Sequence, residues 1–198
     1  FAHGALYTYF SIYLAQLGYS KSAIGVFWVL SIVFEIVFFF TQGRWFARFG
    51  QYALLSASFL VAAVRFLLIA EFATVWWVLV FAQLLHAMTF AVHHSASVLT
   101  IQRWFPGRAA ARGQAVYISA AYGIGGTAGS LTAAYLWTSG GPQWAFGACS
   151  AAALLGAWAV LAISGATPAL AHATVVGSDP AESARLQSPP SKVTMTFS

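Results

Sequence analysis

The chain has 198 residues, 60% of them hydrophobic and only 7% charged, with a mean hydropathy of +0.77. A soluble domain carries roughly 25% charged residues, so water is excluded as the main solvent for most of this surface. The formal net charge of +5 does not mark a nucleic-acid binder, because most of the cations sit in short gaps between long apolar runs, where they hold a membrane topology in place.

A helix needs about 20 apolar residues to cross a bilayer, and six runs reach or approach that length. The first, residues 1–17, opens the chain already inside an apolar stretch and reads as clipped at its start, so the sequence is expected to be a piece of a longer protein. The others are residues 22–41, 52–70, 74–101, 113–137 and 142–163. Backbone inside a bilayer must satisfy its own hydrogen bonds, and these runs are too long and too uniformly apolar for barrel strands, so each is expected to be a helix. The gap at 42–51 carries Arg44 and Arg48, and that at 103–112 carries Arg103, Arg108 and Arg112. The intervening gaps hold Lys21, Glu71 and no charge at all, in that order. The alternation puts the arginine-bearing gaps in the cytoplasm and the others outside. Trp76, Trp77, Trp104, Trp137 and Trp144 stand at span ends, as interfacial aromatics do.

Composition changes after Ser164. Residues 165–198 are rich in Pro, Ser, Ala and Thr, and residues 192–198 alternate Val193, Met195 and Phe197 with Thr194 and Thr196, a strand signature with nothing evident to pair with. The lone cysteine, Cys149, lies in an apolar run and has no partner for an internal disulfide.

Ionisable groups inside a bilayer are costly and therefore mark candidate sites. Glu35 interrupts the second run, and a carboxyl group there suits proton uptake and release. The fourth run holds His86, His93 and His94; His86 and His93 are nearly two turns apart and share a helical face with Gln83 and Phe90, a polar and aromatic row fit for a solute or proton path. His3, Tyr7, Thr8, Tyr9 and Tyr13 make the first run unusually polar, with His3 and Tyr7 one turn apart, as in a helix lining a cavity. Arg65, near the outer end of the third run, is read as structural: it snorkels, or pairs with Glu71 six residues on. Residues 123–128 formally fit a dinucleotide fingerprint, but they sit inside a span with no strand before them. Gly125 and Gly129 instead form a G-x-x-x-G spacing that lets helices approach closely. There is no phosphate-binding loop of the Walker type and no nucleophile–base–acid set, so no enzyme activity is expected.

Several motifs occur in one order along residues 1–164: HGALYTYFSIYL at 3–14, GYS at 18–20, IG at 24–25, Glu35, Arg65, AQLLHA at 82–87, FPGR at 105–108, RGQA at 112–115 and YGIGG at 122–126. With these, the segment resembles the C-terminal half of a major facilitator superfamily transporter, nearest the phenylpropionate permease and nucleoside–proton symporter group. The resemblance implies a twelve-span transporter whose other six spans lie upstream. It also implies proton-coupled movement of a small organic solute across a bacterial inner membrane. The tail, with HATVVGSDPAES at 172–183 and KVTMTFS at 192–198, resembles the start of a periplasmic copper-resistance protein of the β-sandwich type. That likeness implies copper as a ligand of the tail, with His172 as the candidate metal-binding residue after a signal-peptidase-like Ala169-Leu170-Ala171. It wants the tail outside the cell, where charge counting wants it inside; cleavage, a join by frameshift or assembly error near Ser164, and a real fusion that inverts one segment are the open resolutions, with an artificial or truncated join favoured.

The expected fold is therefore an all-α integral membrane protein, the six-helix half of a major facilitator fold over residues 1–164. A linker follows at 165–171, then a fragment at 172–198 with one or two strands of an incomplete β-sandwich. The expected function is secondary active transport, with a membrane-anchored copper-binding protein as the alternative. The partners are the bilayer, a small solute, protons and the missing half, and no nucleic acid; the transporter part needs no cofactor.

Overall fold

The computed structural model describes residues 1–166, 175–179 and 194–197. Phe1–Val160 forms one compact unit and Leu161–Ser198 a second. The helices are α1 (Ala2–Gln16), α2 (Lys21–Phe49), α3 (Gln51–Phe72), α4 (Trp76–Leu84), α5 (His93–Trp104), α6 (Ala110–Ile118), α7 (Gly125–Gly140) and α8 (Pro142–Ala166). A π-helical segment, Met88–Val92, lies between α4 and α5, and another, Ser119–Ile124, joins α6 to α7. The described helices thus form six rods.

Each rod ends where the backbone demands it. Gly18, Gly50 and Gly141 all have positive φ, which an L side chain resists, and they punctuate the turns after α1, α2 and α7. Ser20 caps α2, its Oγ accepting from the Ala23 amide at 3.2 Å. Phe105-Pro106-Gly107 breaks the rod after α5. The Tyr19 hydroxyl donates to the Ala73 carbonyl at 3.0 Å, tying the α1–α2 turn to the end of α3.

Two expectations require correction. The gap at 42–51 is not a loop: α2 runs on through Arg44 and Arg48 to Phe49. Polar residues end an apolar run without ending a helix; Gly50 does that. Nor are all six rods alike. Four are long and apolar enough to cross a membrane: Lys21–Phe49, Gln51–Phe72, Trp76–Trp104 and Pro142–Ile163. α1 has 15 residues, and the rod from Ala110 to Gly140 is diluted by Gly, Ser, Thr and Tyr. These two less apolar rods pack on each other.

The main core gathers Leu6, Phe10 and Leu14 of α1, Phe27 of α2, Phe66 and Ile69 of α3, Leu79 of α4, and Phe146 and Cys149 of α8. A smaller cluster joins Phe38 and Leu54 to Ala87, Ala91 and Val92. α1 approaches α7 backbone to backbone: a Cβ on Gly4 would run into the Gly126 carbonyl, and one on Gly129 into the carbonyl of Phe1. The small residues at 125–129 thus serve close helix approach, with α1 as the partner. Large apolar side chains such as Val29, Phe40, Leu67, Leu155 and Trp158 face outward, as lipid-facing residues of a multi-pass membrane protein do.

In the second unit, Val175–Asp179 (β1) and Thr194–Phe197 (β2) pair antiparallel, Val175 opposite Phe197 and Asp179 opposite Thr194. The strand expected to be alone therefore has a partner.

Candidate functional site

The site forms where α1, α2 and the Trp76–Trp104 rod meet. Glu35, in the middle of α2, brings Oε2 to 3.6 Å from His86 Nε2. The His86 side chain is 4% exposed and that of Glu35 17%. At that separation the two do not form a hydrogen bond, and they attract as opposite charges only when the imidazole is protonated. The His3 ring on α1 lies 5.6 Å from the His86 ring, 5.7 Å from Phe90 and 5.9 Å from Tyr7. His86 Nδ1 and His3 Nε2 are buried, with no hydrogen-bond partner among the described residues. A ring nitrogen left unmatched in an apolar setting is costly and needs a reason. Two such nitrogens on adjacent imidazoles, beside a carboxylate, suit a proton or a polar solute group that comes and goes.

The π-segment decides which side chains line up. A π turn closes i→i+5 bonds and so holds more residues than an α turn. The ladder that results is His86, Phe90 and His94: rings 5.5 Å apart and 5° from parallel for the first pair, 6.2 Å and 8° for the second. His94 Nδ1 lies 3.4 Å from the Tyr122 hydroxyl, in the second π-segment. His93, expected to share the face of His86, instead turns to α3. Its Nδ1 stands 3.3 Å from Ser58 Oγ and its ring edge-on to Phe59 at 4.9 Å. Seven residues place two side chains on one face only in an uninterrupted α-helix.

Gln83 also departs from the expected row. It is fully buried and faces Arg65. Arg65 neither snorkels nor meets Glu71. It is 0% exposed; its Nε donates to the Ala82 carbonyl at 2.7 Å, and its terminal nitrogens to Thr89 Oγ1 and Gln83 Oε1, both at 3.3 Å. Ala82 lies in the last turn of α4, where carbonyls lack intrahelical donors. The guanidinium thus caps a helix end inside the bundle, with the Phe66 ring 5.4 Å away. Glu71 is exposed at the end of α3.

A cavity of about 530 Å³ opens between α1 and the α6–α7 rod. His3, Tyr7, Thr8, His93, Tyr122 and Ser130 are among its walls. Among the described residues no permanently charged side chain lines it. Thr8 and Ser130 touch hydroxyl to hydroxyl at 3.2 Å across the α1–α7 seam. Tyr7 stacks on Trp28, which donates its indole N–H to Ser11 at 3.0 Å. Sequence reasoning did not name Trp28, Tyr117, Tyr122 or Ser130 as site residues; the density of Tyr, Ser and Thr along residues 117–130 was the available signal. Among the described residues no group of three or more His, Cys, Asp or Glu side chains is placed to hold a metal ion. His172 lies outside the described residues.

Residues 1–148 match the MFS_1 like family. The chain is 34% identical over 122 residues to the probable 3-phenylpropionic acid transporter of Escherichia coli (strain K12), a match covering 62% of this chain and 32% of that protein. The chain thus spans about a third of the length of that curated relative. No solved structure matches it.

Proposed function

Because the chain belongs to the MFS_1 like family, we propose that it works as one six-helix half of a proton-coupled secondary transporter for a small organic solute in a bacterial inner membrane. The missing half would supply the facing wall, and alternating access would rock one half against the other around a site near the midplane. The observation that carries this reading is the Glu35–His86 pair beside His3 and the open cavity. Without its proton the pair has a net charge of −1, and with it the net charge is zero. Low-dielectric surroundings penalise the first state, so closing the site over the pair favours loading and opening it to water favours release.

The solute would bind against the tyrosines and hydroxyls of the cavity, which offer ring stacking and hydrogen bonds without a fixed charge. An aromatic acid of the kind named for the relative is the first to try. In proteoliposomes holding the complete transporter, an imposed pH gradient should drive uptake of 3-phenylpropionic acid. Glu35→Gln should abolish accumulation against a gradient while leaving solute exchange at equal concentrations. Gradient-driven accumulation that survives both Glu35→Gln and His86→Ala would sink the assignment.

A further inference from the structure

A second site stands at the far end of α2, on a flank the transport path does not use. The last three turns of this helix form a groove of about 490 Å³ lined by Val37, Thr41, Arg44, Trp45, Arg48 and Phe49. Arg44 and Arg48 are one turn apart on the same face, close enough to converge on one anion. The Arg48 guanidinium lies 5.4 Å from the Phe49 ring, and Trp45 stacks on Phe49 at 6.0 Å, so the aromatics brace the cationic end. Among the described residues neither guanidinium is paired with a carboxylate.

Direction decides what covers the groove. At about 100° per residue, Arg44 stands about 180° around α2 from Glu35, and Arg48 about 140°. Glu35 marks the flank that faces His86, so the arginines, with Val37 and Thr41, look away from it toward lipid, while Trp45 and Phe49 close the groove from the other side of the helix. Depth agrees. Val37 and Thr41 continue the groove from the arginines into the apolar span, and Trp45, one turn before the end of α2, is a side chain that favours the membrane interface. Charge counting puts this end in the cytoplasmic leaflet, where anionic lipids concentrate. Planar guanidinium groups recognise phosphate through paired N–H donors.

We propose that Arg44 and Arg48 hold the phosphate of an anionic phospholipid whose acyl chain lies along Thr41 and Val37. This goes beyond the transport reading and needs only that the chain spans a membrane.

The test is native mass spectrometry of the detergent-solubilised chain titrated with phosphatidylglycerol or phosphatidylcholine. One phosphatidylglycerol should be retained with an apparent affinity about tenfold above that for phosphatidylcholine, as paired charge-assisted contacts supply. Arg44→Gln with Arg48→Gln should erase the preference. The Arg44→Lys, Arg48→Lys variant should keep part of it, which separates loss of charge from loss of fold. Arg103→Gln, at the same end of the bundle but outside the groove, should leave it intact. The proposal is overturned if the preference survives the double glutamine variant, or if Arg103→Gln erases it equally. It is also overturned if millimolar inorganic phosphate displaces the lipid, which would assign the arginines to a free anion.

Discussion

Arg65 shows how a buried cation is tolerated without an acid. Three neutral acceptors and an aromatic face surround its guanidinium, and one acceptor is a helix-end carbonyl that would otherwise be orphaned. Truncating it removes all three bonds and opens a cavity beside the rod that carries His86. Arg65→Ala should therefore lower stability by about 3 kcal/mol, read as a fall in the thermal unfolding midpoint in detergent. Arg65→Lys should recover only part, since one ammonium cannot span three acceptors fixed by a planar fork. A midpoint unchanged in Arg65→Ala would mean the guanidinium network contributes nothing. The sequence pointed to Arg65 only as a cation near a span end. Six residues to Glu71 suggested a pair, but six residues is more than one and a half turns, and the side chain points inward instead. Glu35 and His86 were each visible as isolated ionisable residues in apolar runs. That they meet at 3.6 Å depends on the packing of α2 on the fourth rod, which single-sequence reading does not reach.

At the scale of elements, the apolar runs were legible because membrane solvation forces them to be helices, and nothing local competes. Their interruptions were not. Met88–Val92 reads as ordinary helix, yet its π geometry replaces the expected His86–His93 face with the ladder His86, Phe90, His94. Deleting Ala91 should let the segment close as α-helix and turn His94 by about 100° relative to His86. The His94–Tyr122 contact would be lost. Helix content by circular dichroism should hold while transport by the complete protein falls at least tenfold, since a misplacement of this kind costs about that much or more. Transport at the parent rate would show that the π-segment has no part in the path. The α1–α7 seam offers a second check. Gly4→Val should cost about 1–3 kcal/mol of stability by overpacking, because its side chain meets the Gly126 backbone, which has no rotamer to give way. Gly43→Val, where a Cβ meets nothing, should cost less than half as much.

For the whole molecule the question is which end faces the cytoplasm. Arg44, Arg48, Arg103, Arg108 and Arg112 crowd one set of rod ends, while Lys21 and Glu71 mark the other. Each set is tied together at its own end. Phe46 and Gly50 share a pocket with Gln102 and Arg103, and Tyr19 reaches Ala73 at the opposite end. A cationic excess of this size fixes orientation in short-looped membrane proteins. The one cysteine of this chain does not confuse the test. Cys149 is 1% exposed, and its thiol donates to the Ala145 carbonyl at 3.3 Å, so it should stay unlabelled by an impermeant maleimide until the protein is denatured. Single cysteines placed at the exposed positions Glu71 and Arg108 then report each end separately. Glu71→Cys should label from outside in intact spheroplasts, and Arg108→Cys only in inverted vesicles. The opposite pattern would place the arginine-rich ends outside, against the charge rule. It would also put the Arg44–Arg48 groove in the outer leaflet and, on the proposed proton-coupled reading, reverse the direction in which the Glu35–His86 pair meets the gradient.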